Sequence, residues 1–222
     1  MGTASTSPTV SSVRKRWLWV LIAAGAAVAA LLGFGLARQL DRETPRLASG
    51  TWLPRPKAIV DFVLSDASGR PYTRADLTRA PTLVYFGFTR CPDVCPTTME
   101  KLAQVRRQAA LASLRVLFVS VDPERDTPAA VGLYAHAFDP SFDGVTGKPQ
   151  EIRAVARNFA VAVNRVELPG GDYTMDHSAV IFLVDAQGIV AIFTPPFEVP
   201  ALAADLRRAA PYLVMPRDRR PT

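Results

Sequence analysis

The chain has 222 residues, 49% hydrophobic and 21% charged, with 19 prolines and 13 glycines; this is the composition of one globular domain with an extra apolar segment, and it excludes collagen, a disordered chain and a multi-span transporter. The net charge of +6 lies at the ends: residues 1–49 hold six basic and two acidic groups, residues 216–222 three and one, and residues 50–215 are balanced at 17 of each. A nucleic-acid-binding face needs surplus positive charge on the folded domain itself, so that class is excluded as well.

From Trp17 to Leu36 the sequence WLWVLIAAGAAVAALLGFGL has twenty residues and no charge, enough at ~1.5 Å per residue to cross a ~30 Å hydrocarbon core. Arg14, Lys15 and Arg16 stand directly before it, whereas the far flank mixes Arg38, Asp41, Arg42 and Glu43. The positive-inside rule then predicts a single pass through the cytoplasmic membrane, with residues 1–16 inside and the domain outside. The competing reading is a cleavable signal peptide, with small residues at Gly35-Leu36-Ala37; a run of twenty exceeds the roughly 7–15 apolar residues of such a segment and favours an uncleaved anchor at 17–36. Residues 37–56 hold three prolines and no apolar period, and read as a linker.

The folded domain is expected over residues 57–213, followed by a basic tail at 214–222. Ala58–Leu64 alternates as a half-buried strand and turns at Ser65–Pro71, and Thr82–Phe88 is a continuous apolar run typical of a buried central strand. Thr97–Ala112 has helical spacing, Arg115–Val121 is a second buried strand, and Thr127-Pro128 supplies an N-cap and a first-turn proline for a helix to Phe138. After the turn-rich stretch Asp139–Gly147 come a helix over Gln150–Phe159 and a short edge strand near Val161–Val166. Ala179–Asp185 and Gly188–Phe193 form an antiparallel hairpin, and Val199–Ala210 closes as a helix. This order predicts an α/β, thioredoxin-like sandwich with an insertion at Asp139–Phe159, preceded by one N-terminal transmembrane helix.

The two cysteines, Cys91 and Cys95, stand where a buried strand ends and a helix begins, in YFGFTRCPDVCPTTM. That edge of an open α/β sheet is where ligands collect. Pro96 suits the first helical turn and puts Cys95 at or beside the N-cap, where free N–H groups and the helix dipole favour a thiolate. Four helical residues rise about 6 Å, so the pair can close as a disulfide or open as two thiolates aimed at one point. A thioredoxin-type redox motif has two residues between its cysteines, and this one has three, which suits a metal as well as a bond. Of the two histidines, His136 reads as a surface residue of the helix LYAHAF. His177, in GGDYTMDHSAV, lies in a loop directed at the strand-helix junction of the cysteines.

The motif CPDVCP after Gly-Phe-Thr, then VSVDPERDTP and DYTMDHSA, resembles the Sco/SenC family of membrane-anchored copper proteins, over about residues 57–213 and the single anchor. The resemblance implies that Cys91, Cys95 and His177 are the copper ligands and that Cys91 and Cys95 are a redox-active pair. It also implies an activity: delivery of copper to the binuclear copper site of cytochrome c oxidase subunit II, or reduction of the cysteines that receive it. Arg90, before the first cysteine, is histidine or aromatic in some relatives, which touches a local surface feature only. The donor set agrees with the copper reading: thiolates select Cu(I), imidazole accommodates Cu(I) and Cu(II), and a structural zinc site would ask for a fourth protein ligand. Other copper chaperones and thiol reductants outside the cytoplasm are the further partners this reading implies.

Asp122 and Asp126 read equally as turn and helix-terminus residues or as groups that dock a partner or tune the site. Asp176 could orient the imidazole as a hydrogen-bond acceptor, Met175 reads as packing, and Asp93 as a turn residue. The alternative function is a thiol-disulfide oxidoreductase of the thioredoxin-like class without obligatory copper. A peroxide-reducing thiol protein shares the fold and is a third reading. Only the copper reading needs His177 as a ligand.

Overall fold

The computed structural model describes residues 10–41 and 44–216, with the side chains of residues 10–16, 18 and 35–41 outside the description. The chain divides into two compact units, residues 1–44 and 45–222. Among the described residues the first unit contains one helix, α1 (Val10–Asp41, 32 residues), on which Trp17, Trp19, Leu21, Leu31, Leu32 and Phe34 are all exposed. Residue 18 and residues 35–36 of the span read at 17–36 fall outside the described side chains. Among the described residues no helix is long and apolar enough to cross a membrane.

The second unit contains, in chain order, β1 (Gly50–Lys57), β2 (Val63–Asp66), β3 (Pro71–Thr73), α2 (Arg74–Leu77), β4 (Thr82–Gly87), α3 (Val94–Ala109), β5 (Arg115–Ser120), α4 (Pro128–Phe138), β6 (Asp143–Thr146), α5 (Pro149–Phe159), β7 (Val163–Glu167), β8 (Tyr173–His177), β9 (Ile181–Asp185), β10 (Gly188–Phe193), α6 (Val199–Ala209) and a 3-10 turn at Ala210–Tyr212. Eight strands form one sheet in the order β1-β10-β9-β4-β5-β6-β2-β3, and β7 and β8 pair separately. Every residue of β4 and β9 is buried, which is why these strands read as unbroken apolar runs and not as alternating ones. β4 and β5 are parallel, with Tyr85 opposite Phe118 and Gly87 opposite Ser120, while β9 runs antiparallel to β4. Alternation along β4 sends Phe86 against Phe159 of α5, ring centroids 5.2 Å apart. It sends Tyr85 and Gly87 to the opposite face, beside Phe118, Tyr134 of α4 and Cys95 of α3.

This is the mixed α/β, thioredoxin-like architecture expected from the sequence, with four departures. A strand, β1, occupies Gly50–Lys57 in the stretch read as linker, and the next strand is Val63–Asp66 and not Ala58–Leu64. β1 pairs with β10 with a register break between Trp52 and Lys57, where Pro54 and Pro56 lack an N–H; an edge strand tolerates this, but such a strand shows no alternation. The stretch read as an insertion supplies β6, which joins the central sheet parallel to β5. Gly144 in β6 passes so close to α4 that an added Cβ would lie 2.4 Å from the Val131 carbonyl oxygen, so a glycine that reads as a turn is there for close packing. α3 starts at Val94, three residues earlier than expected. The segment carrying His177, read as a loop, is the strand β8 of the separate hairpin.

Asp205 joins the start of this unit to its last helix. It is fully buried on α6 and accepts hydrogen bonds from the backbone N–H groups of Ala48 and Ser49 and from the Ser49 hydroxyl, with Arg208 as its ion-pair partner.

Candidate metal centre

At the end of β4 the chain turns through Phe88 and Thr89, and the Cys91 N–H donates to the Phe88 carbonyl at 3.2 Å. Cys91 is half-buried and Cys95 is buried, and both thiols are free. The Cys95 N–H, in the first turn of α3, donates to Cys91 Sγ at 3.4 Å. Gly87 makes room for the second cysteine: a Cβ there would stand 3.0 Å from Cys95 Sγ and 2.7 Å from the Phe118 ring. Burial pushes the Cys95 thiol up to about 12, reinforced by its neighbour Cys91. Burial thus acts against the thiolate that the helix N-terminus would favour at Cys95.

His177 ends β8 opposite Val163 and reaches the same point. Its Nε2 lies 3.5 Å from Cys95 Sγ, and its Nδ1 lies 3.3 Å from the Ser178 carbonyl oxygen. A carbonyl only accepts, so Nδ1 carries the hydrogen, and Nε2 presents a lone pair to the Cys95 S–H. Burial lowers the His177 pKa, against smaller opposing effects of the Ser178 bond and Asp176, and so favours the neutral imidazole a metal requires. The ring is wedged edge-on between Tyr85 at 6.2 Å and Phe88 at 6.0 Å. The structure therefore sets His177 against Cys95 and the Cys95 amide against Cys91 Sγ. Among the described residues, however, no group of three or more His, Cys, Asp or Glu side chains forms a ready-made metal cluster.

A family model described as SCO1/SenC matches residues 53–210. The chain belongs to this family. It is 39% identical over 174 residues to the Protein SCO2 homolog, mitochondrial, of Bos taurus, covering 73% of this chain and 65% of that protein. The chain spans between about half and two thirds of the length of the first curated relatives it matches. Arabidopsis thaliana ScoI with copper bound is 35% identical with a TM-score of 0.66, covering 70% of this chain and 100% of that one. Bradyrhizobium japonicum ScoI with copper bound is 42% identical with a TM-score of 0.62, covering 68% and 99%.

The remaining residues singled out in the sequence fall into place around Cys91, Cys95 and His177. Asp126 accepts from the Ser120 hydroxyl and from both the N–H and the hydroxyl of Thr89, and so fixes the turn that leads to Cys91. Asp122 accepts from Arg125 Nε at 2.6 Å and from the Tyr173 hydroxyl at 2.8 Å, and so fixes the strand that carries His177. The Tyr173 ring has the guanidinium groups of Arg125 and Arg165 each 3.7 Å from its centroid. Both carboxylates thus hold the loops of the site in place, while the Thr127 hydroxyl caps α4 by itself through the Ala130 N–H. Nothing in the sequence pattern marked Arg125, Tyr173 or Thr89, because their partners lie up to 51 residues away. The imidazole is oriented by the Ser178 carbonyl and not by Asp176, which is exposed. Met175 packs against the core, and His136 and Arg90 are exposed.

Proposed function

We propose that this chain is a membrane-anchored copper chaperone that holds Cu(I) or Cu(II) through Cys91, Cys95 and His177. Its cargo goes to the binuclear copper site of cytochrome c oxidase subunit II, or its cysteines reduce those that receive the metal. The observation that carries the reading is the 3.5 Å approach of His177 Nε2 to Cys95 Sγ, because a side chain from a separate hairpin meets the cysteine turn lone pair first. Two sulfurs and one imidazole nitrogen suit copper in both oxidation states, and the family membership and the copper-bound structures of similar chains support the same cargo.

We place the anchor at residues 17–36, with residues 1–16 in the cytoplasm, the domain of residues 57–213 outside, and residues 214–222 as a basic tail. The all-round apolar run and its basic flank support this topology. A reporter fused after Thr222 is active only outside the cytoplasm on this reading.

The half-exposed Cys91 beside a buried Cys95 also suits thiol exchange: a Cys91 thiolate attacks a partner disulfide, releases one partner thiolate, and Cys95 displaces the second to leave a Cys91–Cys95 disulfide. His177→Ala separates the two activities. We expect it to weaken Cu(II) binding strongly in competition with a chelator, while disulfide formation and exchange continue at a comparable rate. A variant that keeps full copper affinity and loses exchange would assign the site to the oxidoreductase reading instead.

A further inference from the structure

Between the β7–β8 hairpin and the body of the domain lies a cavity of about 260 Å³ that the metal site does not use. Its apolar walls are Val121 and Pro123 after β5, Ile152 of α5, and Val163 and Met175 of the hairpin, with the exposed Arg153 of α5 beside them. An apolar cavity of about 150 Å³ takes a benzene ring, so this one has room for a large side chain. Tyr173, Met175 and His177 share one face of β8, and Arg165 and Val163 stand opposite Met175 and His177 on β7. The hairpin face that carries His177 is therefore also a wall of the cavity. The charges around it do not cancel. Asp122 is taken by Arg125 and Tyr173, and Glu124 by Arg165, which also pairs with Glu167. Among the described charged residues that line the cavity, Arg153 is left without an ion-pair partner.

Resting on the delivery reading above, we propose that this cavity is the docking pocket for the copper-receiving protein, and that it takes a large apolar side chain, aromatic or long aliphatic, with a carboxylate close beside it in the partner. Apolar walls around one anchoring side chain keep water from it, the arrangement in which a few residues carry most of an interface's energy. Arg153 offers N–H donors in a planar fork that matches a carboxylate, and a charge at the rim steers and orients the encounter. Val163, directly opposite His177, lines the pocket. An anchored partner is thus held against the hairpin row that supplies the imidazole, next to the metal it is to receive.

The test is copper transfer from the Cu(I)-loaded full-length chain to reduced, metal-free cytochrome c oxidase subunit II, followed as the copper each protein holds with time. Arg153→Glu should slow transfer roughly tenfold at subsaturating subunit II, within the range over which interface variants change association rates. Arg153→Lys should keep most of the rate, because the steering charge remains. Added salt should slow the unaltered chain more than Arg153→Glu, since the attraction it screens is gone in the variant. Ile152→Phe, which fills the cavity from α5, should slow transfer too, with a thermal melt to show that it folds; Arg153 is exposed, so its variants read docking independently of the core. Copper affinity of Arg153→Glu in chelator competition should match that of the unaltered chain. Transfer at the unaltered rate by either folded variant would overturn the inference, and so would a loss of copper affinity in Arg153→Glu as large as its loss of rate. Failure of the unaltered chain to pass copper to subunit II would instead overturn the delivery reading on which it rests.

Discussion

Gly87→Ala probes the support of the site directly. The added methyl would stand 2.7 Å and 3.2 Å from two atoms of the Phe118 ring and 3.0 Å from Cys95 Sγ, where ordinary contact begins at 3.4 Å. Relief needs movements of several tenths of an ångström on both sides at once. Phe118 is fully buried between Tyr85 and Tyr134, and Cys95 is fixed in the first turn of α3, so neither has free space to enter. Overpacking of this kind costs about 1–3 kcal/mol, which for a domain of this size lowers Tm by roughly 2–4 °C per kcal/mol. The same displacement disturbs the 3.5 Å approach of the Cys95 sulfur to His177 Nε2, so copper affinity should fall together with Tm. Thermal melts of the reduced chain and chelator competition on the same preparation check both effects. A variant with unaltered melting and unaltered copper affinity would refute the close packing of Cys95 under β4.

Oxidation of Cys91 and Cys95 to a disulfide should abolish copper binding and reduction should restore it, as read by copper retained after desalting, because both thiolate donors are consumed. Tyr173→Phe should cost about 1–3 kcal/mol by depriving the buried Asp122 of a donor, and hydrogen exchange should quicken in residues 173–177. Burial raises the Asp205 carboxyl, but the bonds from Ser49, Ala48 and Arg208 outweigh it and hold the pKa below 3.8. A folded pKa depressed in this way stabilises the domain above about pH 4, and that contribution is lost as pH falls through the lowered value. Asp205→Ala should therefore cost about 3 kcal/mol at pH 7 and flatten the acid limb of a stability-against-pH curve.

The parts of this fold that are legible in the sequence are those with a local cause. Thr127-Pro128 starts α4 by capping its own first turn, the two residues between Asp185 and Gly188 close the β9–β10 hairpin, and the fully buried β4 is an unbroken apolar run. Cys91 and Cys95 could be placed at a strand-helix junction for the same reason. What escapes the sequence depends on distant partners. β6 looks like a turn because Gly144 is there to admit α4, and β8 looks like a loop because among the described residues it pairs with β7 alone, across the Gly170-Gly171 tip. The burial that pushes the Cys95 thiol up is set by distant groups packed over it, the Gly87 strand among them, and not by its place at the helix start.

X-ray absorption at the copper edge of the Cu(I)-loaded, reduced full-length chain tests the central claim most directly, since it counts the donor atoms. The account predicts two sulfurs and one imidazole nitrogen in the unaltered protein, and sulfur donors alone in His177→Ala. A sulfur-only environment in the unaltered chain, or an imidazole contribution that survives His177→Ala, would contradict it.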